Sequence, residues 1–381
     1  MPETMTSKER MLTAIRNEIP DRVPVAPDIS NMIPARLTGK PLWDLYLYND
    51  PPLWRAYIDA VRFFEMDGWF MYGELKYRYQ DNGCTWKTEV VDKANDRITT
   101  RTTCGTPAGD LFQEDVYYRS DPPTRTRKWI HDLRADMPKL RYLFPAVTGY
   151  DRTLYDQQQW EAGDSCAVGI MINVPGMHDL VWWFDDPLMG PSVAYVEEYD
   201  LFKEFISWQE ARFLKEAEMA IDARPDFILI GASGMWTLSS PKIWRDITLA
   251  PFQKITRMAK EAGVPTMLHS CGKERKLAQI LAEETDLGCI NPLEVPPTGD
   301  CDLAEVKQAI GSRMALMGNL HTVEVMLEGT PQFVEEKALQ ALRDAGANGG
   351  FILSTGDQCG RDTPDENIRA MVHVAKEHGW Y

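Results

Sequence analysis

Thr266-Met267-Leu268-His269-Ser270-Cys271-Gly272 opens on a short apolar run, 266–269, then turns polar and leads into a helix-like stretch at 274–284. An apolar run of this length, followed directly by helical periodicity, is how a parallel strand buried on both faces reads. Seven further runs of the same kind lie at 22–27, 68–72, 167–173, 227–230, 288–291, 314–317 and 351–354. Helical patterns occupy 201–223, 242–262, 303–310, 331–345 and 364–378. Alternation of strand and helix at this spacing predicts an α/β chain closed as a (β/α)8 TIM barrel.

The N-terminal half is less regular. Residues 85–118 alternate polar and apolar side chains about a turn at 93–96, which predicts an inserted β-hairpin or meander. Prolines and charges at 121–144 read as a connection back to the third barrel strand. The expected organisation is one domain over 1–381 with an insertion at about 84–144. Composition agrees, with 44% apolar and 26% charged residues. A net charge of -16 repels nucleic acid and anionic membrane surfaces. Met1 to Arg10 is polar, and no run is long and apolar enough to span a bilayer, so the protein is expected in the cytoplasm. Seven cysteines, an odd number, suit a reducing compartment in which thiols stay free for metal.

Barrel enzymes gather their chemistry where strands end and the following loops begin. At the fifth such junction His269 and Cys271 are two apart, so in extended chain they project to one side and can chelate together. The eighth junction, Ser354-Thr355-Gly356-Asp357-Gln358-Cys359-Gly360, brings a second thiol to the same end. One imidazole and two thiolates suit tetrahedral zinc with an open fourth position, the pattern of catalytic zinc. The plainer alternative is a buried histidine and two small cysteines that merely pack near strand ends. Cys84, Cys104, Cys166, Cys289 and Cys301 have no histidine at matching spacing and read as core or loop residues.

Glu9-Arg10-Met11-Leu12, Pro20-Asp21-Arg22-Val23-Pro24, Met317-Gly318-Asn319, Gly349-Gly350-Phe351-Ile352-Leu353 and Pro364-Asp365-Glu366-Asn367-Ile368 occur in the order seen in the uroporphyrinogen decarboxylase superfamily, which the chain resembles. The resemblance implies a (β/α)8 barrel. True decarboxylases of that superfamily carry an Arg-Gln-Ala-Gly-Arg motif after the first strand. Here the stretch reads Asp28-Ile29-Ser30-Asn31-Met32-Ile33-Pro34-Ala35-Arg36, without that clamp. The His-X-Cys pair with a distant cysteine is similar instead to the superfamily's zinc branch, methyltransferases that exchange methyl groups with corrinoid proteins. His269, Cys271 and Cys359 match that pattern. In that branch zinc activates a thiol as acceptor or polarises a methylated donor.

The resemblance thus implies zinc, a corrinoid held by a separate partner protein, and a small methyl donor or acceptor. This chain has no cobalamin-binding Asp-X-His-X-X-Gly motif of its own. Trp182, Trp183 and Trp236, near predicted strand ends, tilt the donor towards an aryl methyl ether in an O-demethylation, with a thiol as the other partner class. Glu294 is a candidate displaceable ligand or proton acceptor, and His321 a candidate proton donor, with loop acid and helix cap as their structural alternatives. Asp28, Tyr72, Asn173, His178, Trp236 and Asn319 are candidate substrate contacts, together with Glu74. His131, His373 and His378 are expected at the surface. Two other readings stand beside methyl transfer: a metal-independent decarboxylase of an unknown acid, and a non-catalytic binding protein on a barrel frame.

Overall fold

A computed structural model describes residues 3–231 and 233–381; residues 1 and 2 of the polar amino-terminal stretch lie outside it. Thirteen strands are present among the described residues: β1 (Gly68–Gly73), β2 (Lys76–Tyr79), β3 (Thr85–Lys93), β4 (Arg97–Thr106), β5 (Gly109–Tyr118), β6 (Thr124–Arg127), β7 (Val147–Asp151), β8 (Cys166–Ile172), β9 (Phe227–Ile230), β10 (Thr266–His269), β11 (Cys289–Asn291), β12 (Ala315–Leu320) and β13 (Phe351–Thr355). Seven of them form one curled parallel sheet in the order β1-β8-β9-β10-β11-β12-β13. Every residue of β9, β11, β12 and β13 is buried, as continuous apolar runs covered by helices require.

The eighth expected strand, 22–27, is corrected by the structure. It contributes an isolated parallel bridge from Val25 to Leu353, and no strand. Pro24 and Pro27 have no N–H to give a ladder, so pairing shrinks to the residues around Val25. The segment still touches both edges of the sheet. Ala26 donates its N–H to Leu353 at 2.9 Å, and Asp67, just before β1, donates to the Val25 carbonyl at 2.8 Å. Beneath this junction Asp67, fully buried, accepts from Arg10 Nη1 at 2.6 Å, Arg22 Nη1 at 2.7 Å and Val25 N at 2.9 Å.

The expected helix 242–262 is two helices, Pro241–Ile247 and Leu249–Ala262. Pro251 cannot donate to the carbonyl of Ile247, which breaks the ladder there. Strands β3 to β6 form a separate four-stranded antiparallel sheet, with β3 at its edge and exposed along its whole length. The stretch at 121–144 holds β6 and the helix Leu133–Leu140. Three apolar clusters result among the described residues: one fills the parallel sheet and its helices, one lies beside the long helix Tyr199–Asp222 around Phe144, Trp183, Phe205 and Leu140, and a small one gathers Ala35, Leu42, Leu45 and Ala56.

Candidate metal centre

His269 pairs in register with Asn291 and Leu320 with Thr355, while Ile290 pairs with Leu316, so β12 and β13 run three residues beyond the ends of β10 and β11. The loops after β10, β11 and β13 converge at this end of the sheet. There Cys271, Glu294 and Asp357 each offer a donor atom, and these atoms lie within 4.8 Å of one another. His269 joins them through Nε2, 3.8 Å from Asp357 Oδ1, and its Nδ1 is buried with no hydrogen-bond partner among the described residues. Cys359 is fully buried on the same loop as Asp357. The structure thus brings the sequence-derived residues to one mouth. The mutually close set that it forms is Cys271, Glu294 and Asp357, while His269, Cys271 and Cys359 do not form a set that tight among the described residues.

Local geometry accounts for the positions. Gly272 has φ +94° and a side chain there would strike the Thr237 hydroxyl, so only glycine lets the chain turn directly after Cys271. The Gly272 N–H then donates to Glu294 Oε2, tying the two loops together. Asp357 has φ +149°, a region that L side chains rarely occupy, and its Oδ1 accepts from Gln358 N at 2.8 Å. The last loop is fastened to the first: Cys359 N donates to the Asp28 carbonyl at 2.7 Å, and Asp28 N donates to Thr355 Oγ1 at 2.9 Å. Gln358 Nε2 also donates to Asn31 Oδ1.

Burial and neighbouring carboxylates hold the acidic groups of the site towards their neutral forms. Asp28 is buried, with Oδ2 unpartnered, and burial raises its carboxyl above the usual range against the opposing pull of His269. Glu274 is fully buried beneath Glu294, with Oε2 unpartnered, and burial holds its carboxyl well above the usual range. Burial pushes Cys271 up to about 11 and Cys359 up to about 12, with nearby carboxylates adding to the shift in each. Among the charged groups acting most strongly on these four, none is lysine or arginine. Soft thiols, an imidazole and carboxylates converging without a basic side chain fit a divalent ion of the zinc type.

Other expectations fall out differently. His321 Nδ1 accepts from Val323 N at 3.2 Å and Glu324 N at 3.0 Å, so the histidine caps a helical turn. It lines a cavity of about 510 Å³ with Asn319, Asp300 and Glu324, beside the cluster and not over it. Asn319 Nδ2 donates to the Leu293 carbonyl at 3.1 Å, which positions the loop that carries Glu294. Tyr72 faces Ser30 and Asp28 across the mouth, whereas Glu74 is exposed. His178 is fully buried with neither ring nitrogen partnered among the described residues, and burial lowers it to about 4. Asn173 is half-buried. Trp236 packs edge-on against Trp244 at 5.7 Å, and Trp183 stacks on Phe144 at 5.1 Å, so both serve packing; Trp182 is half exposed. Sequence reasoning missed Asp357, Glu274 and Asn291, the last buried beside His269 with both side-chain polar atoms unpartnered. The same-side spacing used for His269 and Cys271 also holds for Asp357 and Cys359 and was the signal available.

Residues 194–378, which carry β9 to β13 and every donor except Asp28, match the family model "Uroporphyrinogen decarboxylase (URO-D)". The match covers just under half of the chain. Methyltransferases are among the proteins that the chain resembles. A methylated-thiol–coenzyme M methyltransferase of Methanosarcina mazei is 28% identical over 179 residues, 43% of this chain and 45% of that protein. A methylcobamide:CoM methyltransferase, MtaA, of Methanosarcina barkeri is 28% identical over 185 residues, 48% of this chain and 51% of that protein. The chain thus spans about half the length of these two relatives. Uroporphyrinogen decarboxylases are among the relatives as well. A solved methyltransferase from Methanosarcina mazei superposes with a TM-score of 0.66 over 98% of this chain and 99% of that chain, at 18% identity, a likeness of fold.

Proposed function

We propose that this protein is a zinc-dependent methyltransferase that moves a methyl group between a small molecule and a corrinoid carried by a separate protein. One observation carries the reading: thiol, imidazole and carboxylate donors from three strand ends converge, and no lysine or arginine is among the charged groups that act most strongly on the buried ones. Relatives named for methyl transfer from methylcobamide support it. We read the frame as a (β/α)8 barrel with the β3–β6 sheet as its insertion. His269, Cys271 and Cys359, with Glu294 beside them, would hold the ion. Bound zinc would supply Lewis acidity, which lowers the pKa of a thiol or polarises an ether oxygen.

The chain's own residues set the rest of the site. Glu294, 7% exposed, is held by the Gly272 N–H and faces Cys271. Asp28, beyond the Val25 bridge, and Tyr72 and Asn291, at the ends of β1 and β11, present polar groups that can orient the reacting molecule. An aryl methyl ether or a thiol is the substrate class proposed, and the cytoplasm, where free thiols persist, is the compartment proposed. All seven cysteines are free. Among the described residues no helix is long and apolar enough to cross a membrane.

Decarboxylation is the second reading, favoured by the family model and by decarboxylase relatives. Against it, the one basic residue in the 28–36 stretch, Arg36, pairs with Asp365 at 2.5 Å and so is engaged elsewhere. The test is metal analysis followed by cobalt absorption spectra, with cob(I)alamin plus aryl methyl ethers in one trial and methylcobalamin plus thiols in the other. About one zinc per chain is expected, reduced in Cys271→Ser, with methyl transfer in one direction. A fully active metal-free protein, or silence in both directions with a cognate corrinoid protein supplied, defeats the reading.

A further inference from the structure

The loop after β13 carries a donor that the sequence pattern of two thiols and an imidazole does not need. Asp357 lies within 4.8 Å of both Cys271 and Glu294, donor atom to donor atom, and 3.8 Å from His269 Nε2. We propose that Asp357 is itself a ligand of the metal in this protein, a second carboxylate facing Glu294 across the ion. The proposal rests on the zinc reading above and extends it.

Two independent features point to a cation at that spot. Asp28, 2% exposed, has an unpartnered carboxylate oxygen, and His269 and Asp357 are the charged groups that act on it most strongly. Glu274, 0% exposed, likewise has an unpartnered oxygen and sits near Glu294 and Asp357. Four carboxyl groups thus surround the cluster from four separate segments, an arrangement that is costly unless a positive ion is shared among them or the buried ones keep their protons. Asp357 is the one placed beside donors of both kinds, thiol and imidazole. Its backbone, at φ +149°, is in a region that glycine occupies more readily, so the aspartate is not there to suit the fold. Asp357 and Glu294, carboxylates from two separate loops, would both hold the ion, and either could yield its place to a substrate donor atom while the other stays bound.

Because glycine suits that backbone better, Asp357→Gly separates ligation from folding. Full-length protein loaded with zinc, or with cobalt(II) as a coloured substitute, is titrated against a chelator. The expected result for Asp357→Gly is a loss of metal affinity of about tenfold or more, together with a shift of the cobalt visible bands. The metal-free variant should melt no lower than the metal-free parent. Asp357→Asn, which keeps the shape but offers a poorer donor, must share the affinity loss. Unchanged affinity and spectrum in Asp357→Gly, while Glu294→Ala or Cys271→Ser alters both, overturn the proposal and leave the zinc reading standing. Loss in Asp357→Gly with full retention in Asp357→Asn assigns a shape role instead and also overturns it. Failure of the parent protein to take up either metal removes the zinc reading, and the proposal with it.

Discussion

Asp179 is the next residue after His178 and fully buried, yet its carboxylate accepts from Trp183 Nε1 at 3.1 Å and Gln209 Nε2 at 2.7 Å. Burial outweighs these two bonds and raises its pKa to about 7. The folded protein holds this proton more tightly than the unfolded chain does. Its contribution to stability is therefore full below about pH 4 and lost as pH rises towards 7. Asp179→Asn, which has no charge to bury, should not show that loss. Urea unfolding at pH 5 and pH 8 should find the parent losing on the order of 2 kcal/mol more than the variant between the two conditions. Parallel behaviour would mean that Asp179 is ionised in the folded protein at both values. The neighbouring His178, lowered to about 4 by burial, stays neutral across this range and does not confuse the comparison.

At the level of elements, Asp67 joins the chain's first helix, Ser7–Ile15, to the two edges of the parallel sheet through Arg10 and Arg22. Both guanidinium groups are buried, and Asp67→Ala would take from each its fully buried acidic partner, leaving Arg10 with Asp21 and Arg22 with the half-exposed Glu3. Breaking a buried pair this way costs about 3–5 kcal/mol. The expected outcome is a large drop in the urea midpoint, or insoluble protein, whereas Lys376→Ala, whose partner Glu65 is largely exposed, should change little. A small effect of Asp67→Ala would show that the junction is held by the backbone bridge alone. The Arg10 and Pro20-Asp21-Arg22 motifs, which suggested the family, therefore tie the first helix to the edges of the sheet. Strands β9 and β10 were legible to the residue, because runs buried on both faces have no competing period. The 22–27 segment was not, because its apolar character is that of a strand while its prolines forbid the ladder. His269, Cys271 and Glu294 were legible as members of one mouth from their places at strand ends. Asp357 was not, since its role depends on a backbone angle and a loop course that no periodic pattern reports.

For the molecule as a whole, a net charge of -16 and several carboxylates gathered at one mouth make bound cation a stabilising partner. Metal that binds the folded chain and not the unfolded one adds about 2.7 kcal/mol when free metal exceeds the dissociation constant by about a hundredfold. Thermal unfolding should therefore move several degrees lower after chelation and recover with zinc, and magnesium, which avoids thiols, should not restore it. Identical melting with and without chelator would contradict a metal centre tied to the fold.

The fastening of the first loop to the last has a consequence for how the protein is made. Asp28 emerges early in synthesis, yet its backbone partners are Thr355 and Cys359, and the Val25 bridge needs Leu353. While the chain is still growing, neither the sheet's closure nor the donors on the last loop exist, and His269 and Cys271 wait more than 80 residues for Asp357 and Cys359. Metal insertion into the complete site is therefore an event of the finished polypeptide, and a ribosome-bound chain stalled short of residue 351 would bring its early thiols into the cell with nothing to occupy them.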